Sequence, residues 1–189
     1  MKEAVLDLSA FEFTCPECGA VTGVNYGFLY HQMEDRIMIH FASTDENAAE
    51  MYETYTGKKF PEMFEGFLSE KYRIRIVRSL DQLREKIRIF DTGLDDRIIE
   101  IYKVILLVRI MDQRPDLNMK SKMYFLPYEG KPYLQIFNDD GPIGGVEMDM
   151  DMYKGLEKDF GKDLPEIYKD DPVVDRDWGL SFLQSQKSN

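Results

Sequence analysis

The sequence predicts an α+β fold: an N-terminal β-ribbon with a cysteine knuckle, central helices, and a C-terminal antiparallel sheet with covering helices. Three observations predict it. Alternating apolar runs flank Cys15-Pro16-Glu17-Cys18-Gly19 near the N-terminus. Apolar residues at helical spacing dominate Ser79 to Met111, and short strand-like runs separated by turn residues follow Pro115. Hydrophobic content of 43% and aromatic content of 13% are values of a chain that packs a core.

Each element has its own pattern. Phe11 and Phe13 alternate with Glu12 and Thr14 ahead of the knuckle, and Val21, Val24 and Tyr26 to Tyr30 follow it as the return of a ribbon. Arg36 to Phe41 is a further strand. Asp45 is expected to cap a helix through Ala48, Met51, Tyr52 and Tyr55 that Gly57 closes. Phe60, Met63, Phe64 and Phe67 predict a second, shorter helical segment. Tyr72 to Val77 alternates, as a half-buried strand does.

Ser79 with Gln82 forms a capping box before Leu80, Leu83, Ile87 and Phe90, with Gly93 as the stop. Leu94 to Met111 is the longest helix, opened by Asp95 and Asp96 in the turn where the dipole favours acids. Its second half, Val104 to Val108, is apolar nearly all round, so it is expected to be buried on every side, in the core or at a subunit contact. Strands are expected at Lys122–Tyr128, Pro132–Phe137 and Ile143–Met148, with Asn138 to Gly141 as a hairpin turn. Met152 to Phe160 and Asp175 to Leu183 are closing helices, the latter docking through Trp178 and Phe182.

A boundary, if the chain divides, falls near residues 112–121, giving a ribbon and helical layer over 1–111 and an α+β region over 112–189, or one continuous domain. No apolar run is long enough to span a bilayer and no signal peptide opens the chain, so a cytoplasmic protein without a membrane partner is expected. Two close cysteines suit a reducing compartment. The net charge of −11 is uneven: −9 over residues 1–70, +5 over 71–126 and −7 over 127–189. Such a charge repels polyphosphate, which disfavours nucleic acid as a partner. The basic middle still offers Arg73, Arg75, Arg78, Arg84 and Arg88 as a candidate local patch.

Two thiolates three residues apart, with a glycine after them, form the knuckle that grips one edge of a tetrahedral zinc. Zinc wants four ligands, and Cys15 and Cys18 are the only cysteines. Three readings stand. The pair binds zinc with His31, His40 or a second chain; or it is a redox dithiol; or its thiols are idle and hold a turn. Twelve residues separate Cys18 from His31, as in a two-Cys, two-His finger, but eight separate His31 from His40, where three to five are usual. His40 lies in an apolar run and reads equally as a core residue. Glu147, Asp149 and Asp151 could face one way around a hard cation, or cap the next helix. No nucleophile–base constellation is legible, so catalytic residues are unknown and no organic cofactor is implied.

Two stretches resemble the CpXC family, a bacterial family named for its Cys-Pro-x-Cys motifs and without an assigned function. One is Phe13 to Gly19 followed by Leu29-Tyr30-His31. The other runs from Arg75 to Ile87 and on through Phe90 to Arg97. Together they cover roughly the first 110 residues. The resemblance implies a zinc ribbon built from two such motifs, the first shortly upstream of a segment like Lys2 to Ser9. The sequence here starts at Met1, so only the second motif is present. The chain is therefore expected not to carry a four-cysteine zinc by itself, with a site shared between two chains as the alternative. The favoured function is a non-catalytic interaction and self-association protein, a homo-oligomer with a further protein partner. The alternative is a metal-dependent or carboxylate-based enzyme with a site between the ribbon and the C-terminal sheet.

Overall fold

A computed structural model describes residues 1–56, 72–138, 140–164 and 171–186, and it is α+β. The chain divides into two compact units, Met1–Arg84 with Tyr168–Pro172, and Glu85–Ile167 with Val173–Asn189.

In the first unit, helix α1 (Lys2–Leu6) and a 3-10 turn (Ser9–Phe11) lead into the ribbon, β1 (Glu12–Thr14) paired antiparallel with β2 (Val21–Gly23) in the register Phe13 to Thr22. Strands β3 (Phe28–Gln32), β4 (Ile37–Phe41) and β5 (Arg73–Val77) form a separate mixed sheet in that order. The β3–β4 hairpin is antiparallel, while β5 returns parallel to β4 after helix α2 (Asp45–Thr56). A parallel return requires a crossover of this kind. Thr44, not Asp45, caps α2: its Oγ1 accepts the N–H of Asn47 at 3.2 Å, and Asp45 instead pairs with Arg78 at 2.6 Å. The aromatic segment expected at Phe60, Met63, Phe64 and Phe67 lies outside the described residues.

Strand β5 differs from its expectation. Ile74 to Val77 are all buried, Arg75 included, because the N–H of Ile76 donates to Pro172 O (2.8 Å) and a chain segment lies along this edge. Alternation signals one buried face. It cannot reveal that a buried guanidinium has carbonyls to serve, here Ile74 O at 2.8 Å.

The second unit is organised by helix α4 (Asp96–Met111), preceded by helix α3 (Leu80–Asp91). Ser79 Oγ accepts the N–H of Gln82 (3.1 Å), and the Gln82 amide oxygen accepts the N–H of Arg78 (2.8 Å) rather than that of Ser79, a capping box displaced by one residue. Gly93, at φ +73°, closes α3, with the N–H of Leu94 reaching back to Ile89 O. The burial of α4 is the reverse of the expectation. Asp96 to Val104 are buried throughout, whereas Val108 is 54% exposed and Arg109 faces solvent. Leu107 alone of the later residues is fully enclosed, against Leu117, Met123 and Ile136.

Strands β6 (Lys122–Phe125), β7 (Tyr133–Asn138) and β8 (Gly141–Glu147) form the antiparallel sheet. Gly145 is required in β8 because the Tyr133 ring lies across it: a Cβ there would sit 2.6 Å from Leu134 O. Helices α5 (Met150–Phe160) and α6 (Arg176–Gln186) pack on α4. Two tyrosine hydroxyls tie helix starts reciprocally: Asp95 N–H donates to Tyr153 (2.9 Å) and Asp149 N–H donates to Tyr102 (2.9 Å). On α6, Trp178 and Phe182 stack on each other at 5.4 Å and are half-buried. The closest approach to α4 is made by Gly179, where a Cβ would meet Glu100 O at 3.2 Å.

Candidate functional site

The knuckle stands at the end of the ribbon. Cys15 N–H donates to Ala20 O and Gly19 N–H donates to Cys15 O, both at 2.9 Å, and Gly19 turns the chain at φ +73°, where a Cβ would be strained. The neighbouring donors, first the Cys18 and Glu17 backbone N–H groups and then the Cys18 thiol, draw the Cys15 thiol below the usual cysteine range, since donors favour the thiolate. Cys15 is half-buried and Cys18 exposed.

The ribbon that carries this knuckle is open to solvent. All six residues of β1 and β2 are exposed, Phe13 at 56% and Val21 at 59%. Phe11 and Phe13 do not share a buried face, because Phe11 lies in the turn before the strand. There it is 2% exposed, with its ring 5.5 Å from Tyr26, 5.3 Å from Phe28 and 6.0 Å from Phe41. The Tyr26 hydroxyl donates to Ala10 O (2.8 Å) and the Val24 N–H to Phe11 O (2.8 Å). The base of the ribbon is therefore anchored by aromatic packing.

The structure brings Cys15 and Cys18 together and gives each histidine a tyrosine. His31, on β3, has Nε2 at 3.1 Å from the Tyr72 hydroxyl. His40, on the central strand β4, is hydrogen-bonded through Nε2 to the Tyr55 hydroxyl, which also lies 3.4 Å from the Met38 sulfur. Burial pushes the His40 imidazole down to about 4 and holds it neutral, and the same burial pushes Tyr55 up. Among the described residues no three His, Cys, Asp or Glu side chains converge on a metal position. Asp149 Oδ1 is the N-cap of α5, accepting from Asp151 (2.9 Å) and Met152 (3.1 Å), and Glu147 pairs with Lys131 (2.8 Å). Of the arginines in the basic middle, Arg75 is fully buried, Arg78 binds Asp45, and Arg84 donates to Leu6 O at 2.8 Å.

Sequence reasoning missed a second constellation, inside the second unit. Lys103 Nζ reaches Glu85 (3.0 and 3.2 Å), Glu100 (2.9 Å) and Met123 O (3.2 Å), while Lys86 Nζ reaches Asp96 (2.9 Å) and Glu100 (3.2 Å). Glu85 also accepts the Phe125 N–H at 2.6 Å. All five charged side chains are buried. Burial, with the like charge of Glu100, pushes Glu85 above the usual carboxylate range against the pull of Lys103. Burial alone would lower Lys103, but Glu100 and Glu85 hold its ammonium above the usual lysine range. The available signal was the placement of Asp96, Glu100 and Lys103 at i, i+4, i+7 along a helix otherwise filled with Ile98, Ile99, Ile101 and Tyr102. Such a stripe is ordinarily a solvated face.

The first unit thus presents half of a thiolate metal knuckle on an exposed ribbon, in an α+β protein with no helix among its described residues long and apolar enough to cross a membrane. A family model described as CpXC protein matches residues 1–103, and the chain belongs to the CpXC family. Comparison with curated proteins and with solved structures gave no match.

Proposed function

We propose that this chain is a non-catalytic interaction protein that self-associates, with the β1–β2 ribbon as its contact element. The observation that carries this reading is the exposure of every strand residue of the ribbon, Phe13 and Val21 included. A two-stranded ribbon by itself is marginally stable in water, and its edges offer unpaired backbone groups to another chain. Aromatic packing secures the base, so the outer part of the ribbon gains stability by covering its apolar side chains against a partner. The cysteine pair is structural in this reading: its donors favour bound thiolates at the tip of the element that makes the contact.

Light scattering over a concentration series tests the proposal. The expected mass rises above the 22.2 kDa of one chain toward twice that value at high micromolar concentration. The Phe13→Ser, Val21→Ser variant is expected to stay at the mass of one chain. A parent protein that is strictly monomeric at that concentration refutes the reading.

A further inference from the structure

We infer that two copies of this chain pair through the outer edge of β2, antiparallel and centred on Thr22, so that their ribbons form one continuous sheet. This inference rests on the self-association reading and names the edge, the register and the partner, a second copy.

The ladder inside the ribbon fixes which backbone groups point outward. Cys15 N–H donates to Ala20 O at 2.9 Å and Val24 N–H donates to Phe11 O at 2.8 Å. Between these bonds Phe13 lies opposite Thr22, and antiparallel alternation makes that the bonded pair. The N–H and C=O groups of Val21 and Gly23 therefore turn away from β1, and no described residue pairs with them. The other edge of the ribbon is partly closed. On β1 the outward N–H of Glu12 already donates to Ser9 O, and its carboxylate is the kind of charge that keeps an edge strand from pairing. Strand β2 carries neither a charge nor a proline.

Charge selects a second copy as the occupant. At a two-fold axis every charged side chain meets its own copy, so a chain of net charge −11 can pair with itself only where its surface is neutral. Cys18 to Met33 contain no Asp, Glu, Lys or Arg, and β2 lies inside that run. The side chains fit the same register. Thr22 stands opposite the partner's Thr22 as a non-bonded pair, a favourable cross-strand match. Val21 and the partner's Gly23 exchange their outward backbone bonds. A Cβ added at Gly23 would meet nothing within 4 Å, so the space beside it is open to the valine that faces it. Phe13 shares the face of Thr22, and the two Phe13 rings, each 56% exposed in the single chain, then flank the threonine pair.

The experiment uses the whole chain and two readouts. In the first, Thr22→Cys is placed in a Cys15→Ser, Cys18→Ser background and oxidised with copper phenanthroline at high micromolar concentration. The expected product is a covalent dimer in majority yield, because a non-bonded antiparallel pair holds its Cα atoms about 4.5 Å apart, within disulfide reach. Glu12→Cys in the same background, on the other edge, is expected to stay unlinked. The second readout is light scattering of variants that keep both natural cysteines. Val21→Pro removes an outward N–H and no bond within the ribbon, so it keeps the circular dichroism of the parent and stays at 22.2 kDa. Thr14→Pro removes an outward N–H of β1 and doubles its mass as the parent does. A parent of doubled mass whose Val21→Pro variant also doubles overturns the β2 pairing and leaves self-association standing. Linking of Glu12→Cys in place of Thr22→Cys does the same. A single-chain mass for the parent under every condition removes both readings.

Discussion

Replacing Lys103 by methionine isolates the energetics of the buried ion cluster. The change keeps most of the side-chain volume and deletes the ammonium that lies 3.0 Å from Glu85 and 2.9 Å from Glu100. Glu100 retains Lys86 at 3.2 Å, so the loss falls mainly on Glu85, left with the Phe125 N–H at 2.6 Å. Breaking a buried pair from one side costs about 3–5 kcal/mol, because the remaining charge has no counterion and little water. Proton uptake by Glu85 limits the loss, since burial already raises its pKa above the ordinary 4.5. Without Lys103 that pKa rises further. A carboxyl raised in the folded state gives its full stability below its unfolded pKa and loses it as pH rises through the folded value. The deficit is therefore expected to be about 3 kcal/mol or more at pH 7.5 and clearly smaller at pH 5. Urea unfolding followed by the fluorescence of Trp178, the single tryptophan and a residue of the same unit, measures it. The Glu85→Gln, Lys103→Met pair should recover much of the loss. A deficit below about 1 kcal/mol at pH 7.5, or one that does not shrink at pH 5, refutes the reasoning.

Three further outcomes follow from the packing. His40 is neutral in the folded state with a pKa of about 4 against 6.5 unfolded, so stability is full above pH 6.5 and falls as pH drops toward 4, by on the order of 3 kcal/mol. In His40→Leu that slope should flatten in denaturant titrations between pH 7 and 4.5. Gly179→Leu drives a side chain against Glu100 O, which a Cβ alone would approach to 3.2 Å, and should lower stability by about 3 kcal/mol in thermal unfolding, while Ser181→Ala on the exposed side changes little. Tyr153→Phe leaves the Asp95 N–H without its 2.9 Å acceptor and should cost about 1 kcal/mol; an unchanged melting temperature would remove that bond from the account.

What the sequence reveals of the fold follows what periodicity can encode. The Ser79–Gln82 box, the Gly93 stop, the Asp149 cap and the C-terminal hairpin turn are local features, and each is found at or within a residue of its expected place. Contacts between distant segments are not local. Nothing in Tyr72 to Val77 specifies that Pro172 covers the edge of β5, which converts a half-buried pattern into a buried one. Hydropathy also misplaces the enclosed part of α4. Charged Asp96, Glu100 and Lys103 are interior because Glu85 and Lys86 of α3 meet them, while apolar Val108 faces outward. At the knuckle, the cysteine spacing reveals the turn and the need for two more ligands. The exposure of the ribbon, set by where the Phe11 anchor stops, is a tertiary property that no spacing carries.

Hydrogen–deuterium exchange of residues 12–23, measured at low and at high protein concentration, tests most directly whether the ribbon is the contact element. The account predicts that amide exchange over β1, the knuckle and β2 slows as concentration rises, while exchange in β6 to β8 stays constant. Identical ribbon exchange at both concentrations, in a protein whose mass nevertheless doubles, would contradict it and move the contact elsewhere on the chain.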